Sequence, residues 1–150
     1  MKCEKCGGSF NNREGCADRY QRALANEFEN PEYGIVHHLT VPCYHLQHNL
    51  YSKEGWIKVR QILHQFLNEG LTADKARNIN RDIYDNGKRN YSITKGETFA
   101  DVDKINWTFT IADIHFDTPE VYCNTIKTWA ISILKDSAAI CDNDNKHTAM

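Results

Sequence analysis

Apolar residues recur with the period of an α-helix along most of the chain, and the breaks in this pattern separate five predicted helices. Residues 15–29 form the first, with apolar positions at four-residue spacing. These positions are Tyr20, Leu24 and Phe28. Asn30-Pro31 ends one helix and starts the next, because asparagine is a good N-cap and proline fits the first helical turn. The second helix is expected over residues 31–48, with a kink at Pro42, which lacks a backbone N–H.

Three further helices follow. Residues 53–69 have a third apolar face, and Gly70 is expected to end that helix. A fourth helix is expected over residues 72–87. Residues 118–120, Thr-Pro-Glu, have the cap, proline and acidic residue typical of a helix start, and the last helix begins there. The positions expected to be buried in the second, third and last helices are Val36, Leu39, Cys43, Leu46, Leu50, Trp56, Val59, Leu63, Phe66, Leu67, Tyr122, Ile126, Trp129 and Ile133.

One segment shows no regular period. Residues 88–117 are expected to form an irregular insertion, with a short strand or an ordered loop near residues 107–116. The whole pattern is typical of a mainly α protein, a single-domain helical bundle over residues 1–150. An N-terminal loop over residues 1–14 would be stapled to the bundle by a metal ion, and a frayed polar tail is expected over residues 141–150.

Composition agrees with a globular domain and bears on the cellular compartment. The chain has 150 residues, 41% hydrophobic and 25% charged, which is ordinary for one folded domain. It has no apolar run long enough for a membrane helix and no apolar secretory leader, so a cytoplasmic location is expected. In a reducing compartment its six cysteines favour metal ligation or free thiols over disulfides.

The net charge of −2 is unevenly distributed. Residues 51–96 contain nine basic and five acidic residues, a balance of +4. Part of this basic region could bind phosphate or carboxylate groups. The candidate anion-binding residues are Arg77, Arg81, Lys88 and Arg89. A solvated helical face explains the same charges, and a general nucleic-acid-binding protein would be far more basic.

Two thiols at the N-terminus are the main chemical signal. Cys3 and Cys6 are separated by two residues and Gly7 follows, a spacing that lets two thiolates bind one soft metal ion while the backbone turns tightly around it. Zinc is the expected ion, because a structural zinc site takes four thiolate or imidazole ligands in a tetrahedron.

Helix geometry indicates the other two ligands. The link at Asn30 is short, so the first two helices should be antiparallel, and Cys16 should then lie near the end of the second helix at His48. The N-terminal loop enters at the same end. The predicted metal site is therefore Cys3, Cys6, Cys16 and His48. Three alternates remain open: His45, Cys43 and, if the chain breaks sharply near Pro42, His37.

The first third of the chain resembles an uncharacterised bacterial family. Members of that family have an N-terminal Cys-x-x-Cys-Gly, a Gly-Cys before the first helix, and a His-Arg-Leu-Thr-Val-Asp-x-Tyr-x-x-Gln-His segment. The matching positions are Cys3, Cys6, Gly7, Gly15, Cys16, His37, Leu39, Thr40, Val41, Tyr44, Gln47 and His48. The chain departs from the pattern at His38, where the family often has Arg, and at Pro42, where it often has Asp. The resemblance supports a metal site and implies no activity.

Three functional hypotheses follow from these residues. The first is a small cytoplasmic protein with a structural zinc, acting as a binding or regulatory module for an unknown protein or small-molecule partner. The second is a metal-dependent enzyme for a small substrate that could be anionic, with His37, Tyr44 and Gln47 lining a polar pocket beside the metal. Hydrogen bonds that lock the helix pair are the alternative role of these three residues. The third hypothesis is a thiol-based redox sensor in which oxidation of Cys3 and Cys6 expels the metal.

Overall fold

The computed structural model describes residues 2–10, 15–68 and 99–148, with side chains up to residue 140. The described residues are mainly helical and contain no β-strand, which confirms the predicted fold class. The α-helices are α1 (Cys16–Glu29), α2 (Pro31–Gly34), α3 (His37–Gln47), α4 (Lys53–Asn68) and α5 (Pro119–Thr148). Two 3₁₀ helices, η1 (Ala100–Lys104) and η2 (Ile111–Asp113), lie between α4 and α5. No helix within the described ranges is both long enough and apolar enough to cross a bilayer.

Helix α1 forms where it was predicted but turns a different face to the core. Its buried residues are Tyr20, Ala23 and Glu27, whereas the expected core residue Phe28 is 94% exposed. The predicted stripe was therefore wrong at its C-terminal end. The reason is that Glu27 meets hydrogen-bond donors from α3 and α5, so a carboxylate takes the core position that the aromatic ring was expected to fill.

The single helix expected over residues 31–48 is two helices. The break lies at Ile35 and Val36, and α3 continues through Pro42. The prediction of one continuous helix was therefore wrong, and the kink expected at Pro42 stays a prediction. The end of α2 approaches α1 so closely that a Cβ atom on Gly34 would lie 2.7 Å from the Glu27 carbonyl oxygen. Only glycine permits this contact, and it ends α2 one turn after the helix begins. Leu50, expected in the core, is 52% exposed because the chain leaves α3 before it.

Helices α4 and α5 carry the predicted core faces. Trp56 and Leu63 of α4 are fully buried, and the Trp56 indole donates to the Leu46 carbonyl over 2.9 Å. The buried face of α5 consists of Tyr122, Ile126, Trp129 and Ile133, as predicted. Helix α3 packs against both α4 and α5 and so lies at the centre of the bundle. The predicted fourth helix over residues 72–87 and Gly70 lie outside the described residues.

The irregular segment before α5 is an ordered loop with the two 3₁₀ helices in its described part, residues 99–118. Arg19 of α1 fixes this loop: its Nε donates to the Ile111 carbonyl over 2.9 Å and its Nη2 to the Ile114 carbonyl over 2.6 Å. The loop is thereby held against the start of α1, next to the N-terminal residues. Helix α5 runs to Thr148, through the segment that was expected to form the tail.

Candidate metal centre

The N-terminal loop is a tight turn closed by backbone hydrogen bonds. The Cys3 amide donates to the Gly8 carbonyl and the Gly7 amide to the Cys3 carbonyl, each over 2.9 Å. Gly7 has a φ of +78°, a conformation that favours glycine. A Cβ atom on Gly8 would lie 2.6 Å from the Thr110 hydroxyl oxygen, so the loop packs directly on the segment before η2. Both glycines are therefore required by the shape of the turn.

Four side chains converge at the place where this loop meets the bundle. The thiol sulfurs of Cys3, Cys6 and Cys16 and a ring nitrogen of His48 all lie within 4.8 Å of one another. Cys3 Sγ is 3.5 Å from Cys16 Sγ and 3.7 Å from His48 Nε2, and Cys16 Sγ is 3.3 Å from His48 Nε2. Ordinary zinc bond lengths in a tetrahedron correspond to separations of about 3.8 Å between sulfurs and about 3.5 Å between sulfur and nitrogen. The three separations among Cys3, Cys16 and His48 lie within about 0.3 Å of these values, and Cys6 Sγ lies within 4.8 Å of the other three ligand atoms.

The four candidate ligands come from three elements: the N-terminal loop, α1 and the end of α3. Cys16 is the first residue of α1, where the positive end of the helix dipole favours a thiolate. His48 is the C-cap of α3. The turn between α1 and α2 and the return along α3 bring these two helix ends together, and the loop with Cys3 and Cys6 covers them. The four residues that were predicted from the sequence as metal ligands therefore lie together in the structure.

The tautomer of His48 leaves one ring nitrogen available to bind a metal ion. Its Nδ1 lies 2.8 Å from the Tyr44 carbonyl oxygen. Because a carbonyl can only accept, Nδ1 carries the hydrogen, and the lone pair of Nε2 faces the sulfurs. Burial lowers the pKa of His48, which favours the neutral ring that a metal requires. The ring stacks on Tyr44 with centroids 4.0 Å apart, and Tyr44 stacks on Tyr20 at 3.8 Å.

The three thiols differ in their surroundings. Burial raises the pKa of Cys6 to about 12, and burial together with the neighbouring Cys3 raises that of Cys16. Burial also acts to raise the pKa of Cys3, but hydrogen bonds from the backbone amides of Cys6 and Lys5 outweigh it and the pKa lies below its ordinary value. Three thiolates this close repel one another, and a bound dication would remove that repulsion.

The types of ligand atom in the cluster indicate which metal ions it could bind. Three sulfurs and one imidazole nitrogen suit zinc and other soft or borderline ions, whereas magnesium and calcium require oxygen ligands. The cluster therefore has the ligand types, number and spacing of a site for one transition-metal ion.

The predicted alternates lie elsewhere in the molecule. His45 Nδ1 is 3.1 Å from the Tyr51 hydroxyl, and Cys43 is fully buried in the apolar core, where burial raises its pKa. His37 begins α3, eleven residues before His48, which is about 16 Å along a helix axis. None of these three belongs to the cluster.

The residues considered for a polar pocket do not share one. Tyr44 lies at the cluster, where its ring stacks on His48, and burial, with a smaller contribution from the neighbouring Cys16, raises the pKa of its hydroxyl. Gln47 uses both ends of its amide: Nε2 donates to the Phe109 carbonyl over 2.7 Å and Oε1 accepts from the Trp129 indole over 2.9 Å. Gln47 thus locks α3 to α5 and to the loop, and His37 is at the far end of α3. The four candidate anion-binding residues lie outside the described part of the chain.

Sequence reasoning missed one chemically important residue, Glu27. Its carboxylate is buried between α1, α3 and α5 and contacts His37, Thr40 and Tyr122. The spacing of Tyr20, Ala23 and Glu27 places the three on one helical face, and this spacing was visible in the sequence. A hydrophobicity pattern assigns every glutamate to the surface, so the pattern alone could not predict that Glu27 is buried.

Fold and site together define a small, mainly helical protein in which three cysteines and one histidine lie close enough together to bind a metal ion. The chain belongs to a family of unknown function (DUF5946), whose model matches residues 1–138. This confirms the resemblance to an uncharacterised family with no established activity. Neither the curated proteins nor the solved structures contain a significant match to the chain.

Proposed function

We propose that the protein binds one zinc ion at Cys3, Cys6, Cys16 and His48, and that this ion is structural. The observation that supports the proposal most directly is the mutual approach of all four ligand atoms to within 4.8 Å. Four protein ligands fill a tetrahedral zinc, and no position is then left for water or substrate. The ion would fix the N-terminal loop to the first turn of α1 and the last turn of α3.

The molecular role that fits a closed site is binding or regulation of a partner, either a protein or a small molecule. A structural zinc ion of this kind holds a short loop in one conformation, and the loop then presents a defined surface to a partner. We place this activity in the cytoplasm, because thiolate ligands persist where cysteines are kept reduced.

Metal analysis of protein purified without a histidine tag tests the proposal. We expect about one zinc per chain, and loss of that zinc in Cys16→Ser and His48→Gln. Cys123→Ser is the matched control, because the Cys123 thiol is partly exposed and bonds only weakly to the Glu32 carbonyl, away from the cluster. Protein that lacks zinc, or that keeps it in both ligand variants, would contradict the proposal.

A metal-dependent enzyme is the second candidate, and a polar cleft beside the cluster favours it. The cleft has a volume of about 570 Å³ and includes Cys3 and Cys6 in its wall together with Lys2, Lys5 and Trp107. Two lysines and two acidic residues, Glu4 and Asp103, line this cleft, and Lys5 pairs with Asp103 over 3.1 Å, so the lining suits a small polar substrate. Cobalt substitution distinguishes the two roles. A visible spectrum that changes when inorganic phosphate is added favours the enzyme, and an unchanged four-coordinate spectrum favours the structural ion.

A redox sensor is the third candidate, favoured by the 3.5 Å distance between Cys3 Sγ and Cys16 Sγ. Hydrogen peroxide would oxidise two thiolates to a disulfide, itself reduced to water, and the ion would leave with two ligands gone. Zinc release measured with a chromogenic chelator tests this candidate. Retention of the ion through peroxide treatment would contradict it.

A further inference from the structure

A buried carboxylate lies at the end of α3 opposite the metal centre. The Glu27 side chain is only 1% exposed. Its Oε2 accepts hydrogen bonds from the Thr40 hydroxyl over 2.5 Å and from the Tyr122 hydroxyl, and its Oε1 contacts His37 Nδ1 at 2.8 Å. Buried charges are rare unless donors surround them. Three polar side chains, His37, Thr40 and Tyr122, thus surround the Glu27 carboxyl group within the core.

The partner imidazole faces outward. A carboxylate oxygen accepts, so His37 Nδ1 donates to Glu27 Oε1, and Nε2 is the ring nitrogen left to act on a ligand. The His37 side chain is 57% exposed, in contrast to the carboxylate behind it. A half-exposed imidazole oriented by a buried carboxylate is the arrangement of a general base, in which the carboxylate fixes the tautomer and stabilises the imidazolium.

His37 and Glu27 line an open groove of about 650 Å³ along α1 and the end of α2. The apolar lining includes Leu24, Ala25 and Phe28, and the polar lining includes Gln21, Glu29 and His37. His37 is the only basic side chain among the described lining residues, and two carboxylates accompany it. The groove therefore favours an uncharged ligand with an apolar part and disfavours an anion.

We propose that His37 is the general base of a second site, which hydrolyses small uncharged acyl compounds bound in this groove. His37 Nε2 takes a proton from water while the water oxygen forms a bond to the acyl carbon. The imidazolium is held by Glu27. The bond between the acyl carbon and the leaving group then breaks, and the proton passes from Nε2 to the leaving group. Glu27, Thr40 and Tyr122 are positioning residues.

The alternative role of this network is to tie α1, α3 and α5 together. His37→Gln separates the two roles, because a glutamine amide can still donate to Glu27 but cannot accept a proton from water. His115→Asn is the matched control, because His115 is an exposed histidine outside the groove. Glu27→Gln retains the size of the side chain and removes the charge that stabilises the imidazolium.

Hydrolysis of 4-nitrophenyl butyrate by the full chain tests the proposal, with mono-4-nitrophenyl succinate as the anionic analogue. We expect wild-type protein to release nitrophenol above the buffer rate, more slowly in heavy water, and to prefer the butyrate. His37→Gln should lower kcat about 100-fold with an unchanged melting temperature and zinc content, and His115→Asn should not change kcat. Glu27→Gln should lower kcat more than it changes KM.

Three results would overturn the inference: no hydrolysis above the buffer rate, wild-type kcat in His37→Gln, or equal rates for the two esters. If His37→Gln is poorly folded, His37→Asn replaces it under the same criteria. The zinc content of these variants is scored separately, so loss of the hydrolytic site and loss of the metal site give different results.

Discussion

The Nδ1 atom of His48 lies 2.8 Å from the carbonyl oxygen of Tyr44, one turn earlier in the same helix. This bond at the end of α3 fixes the ring so that its other nitrogen faces three sulfurs, without any side chain from another element. The C-terminal end of α3 thus contains both a candidate metal ligand, the C-cap His48, and the carbonyl group that orients it. The aromatic ring of Tyr44 adds a stacking surface to the same imidazole.

Removal of the hydroxyl in Tyr44→Phe should weaken zinc binding about tenfold and leave the fold intact. The hydroxyl interacts electrostatically with Cys16, whereas the ring contacts with Tyr20 and His48 persist in phenylalanine. Competition with a chromogenic chelator measures the affinity. Tyr33→Phe is a useful control, because that hydroxyl bonds the Phe116 carbonyl elsewhere. An unchanged affinity in Tyr44→Phe would show that the hydroxyl does not support the ligand.

Chelation of the metal should release the N-terminal loop and leave the helical bundle folded. Apart from the candidate ligands, the loop's contacts with the rest of the protein include the Lys5–Asp103 ion pair and the packing of Gly8 on Thr110 and of Phe10 on the core. Hydrogen exchange should then rise in residues 2–10, and trypsin should cleave at Lys2 and Lys5, while the amides of α5 stay protected. Equal loss of protection in the loop and in α5 would contradict a local role for the ion.

Substitution of Gly8 by alanine should destabilise the metal centre. Its Cβ atom would lie 2.6 Å from the Thr110 hydroxyl oxygen and 3.0 Å from the Phe10 ring, so the loop must shift away from η2. We expect a loss of about 1–3 kcal/mol in the free energy of unfolding, together with weaker zinc binding. Gly15→Ala is the matched control, because the nearest atom to its Cβ would be 3.9 Å away. Urea unfolding and metal titration of both variants measure the difference.

Gln47→Met should destabilise the bundle without loss of zinc. The substitution keeps the approximate volume but leaves the Trp129 indole N–H and the Phe109 carbonyl without their partner. Two unsatisfied buried groups correspond to a loss of about 2–4 kcal/mol. Urea denaturation measures this loss, and metal analysis at low denaturant measures the zinc. A variant as stable as wild type would show that Gln47 does not lock α3 to α5.

The periodicity of apolar residues was sufficient to place α1, α4 and the buried face of α5, because helix formation depends mostly on residues three and four apart. The break at Ile35 was not predictable in this way. It depends on the contact between Gly34 and the Glu27 carbonyl, which brings two helices together after the chain has folded back. In the sequence, Pro42 was the stronger local signal for a disturbance of the helix, yet α3 continues through it.

By itself, the sequence determined the mainly helical fold and the types of atom available for a metal, since helical period and thiol spacing are local properties of the chain. Only the tertiary structure decided that Glu27 is buried, that Phe28 is exposed and that Gln47 joins α3 to α5. The reason is that the environment of a polar side chain depends on donors and acceptors from distant segments. No local pattern contains the identity of those partners.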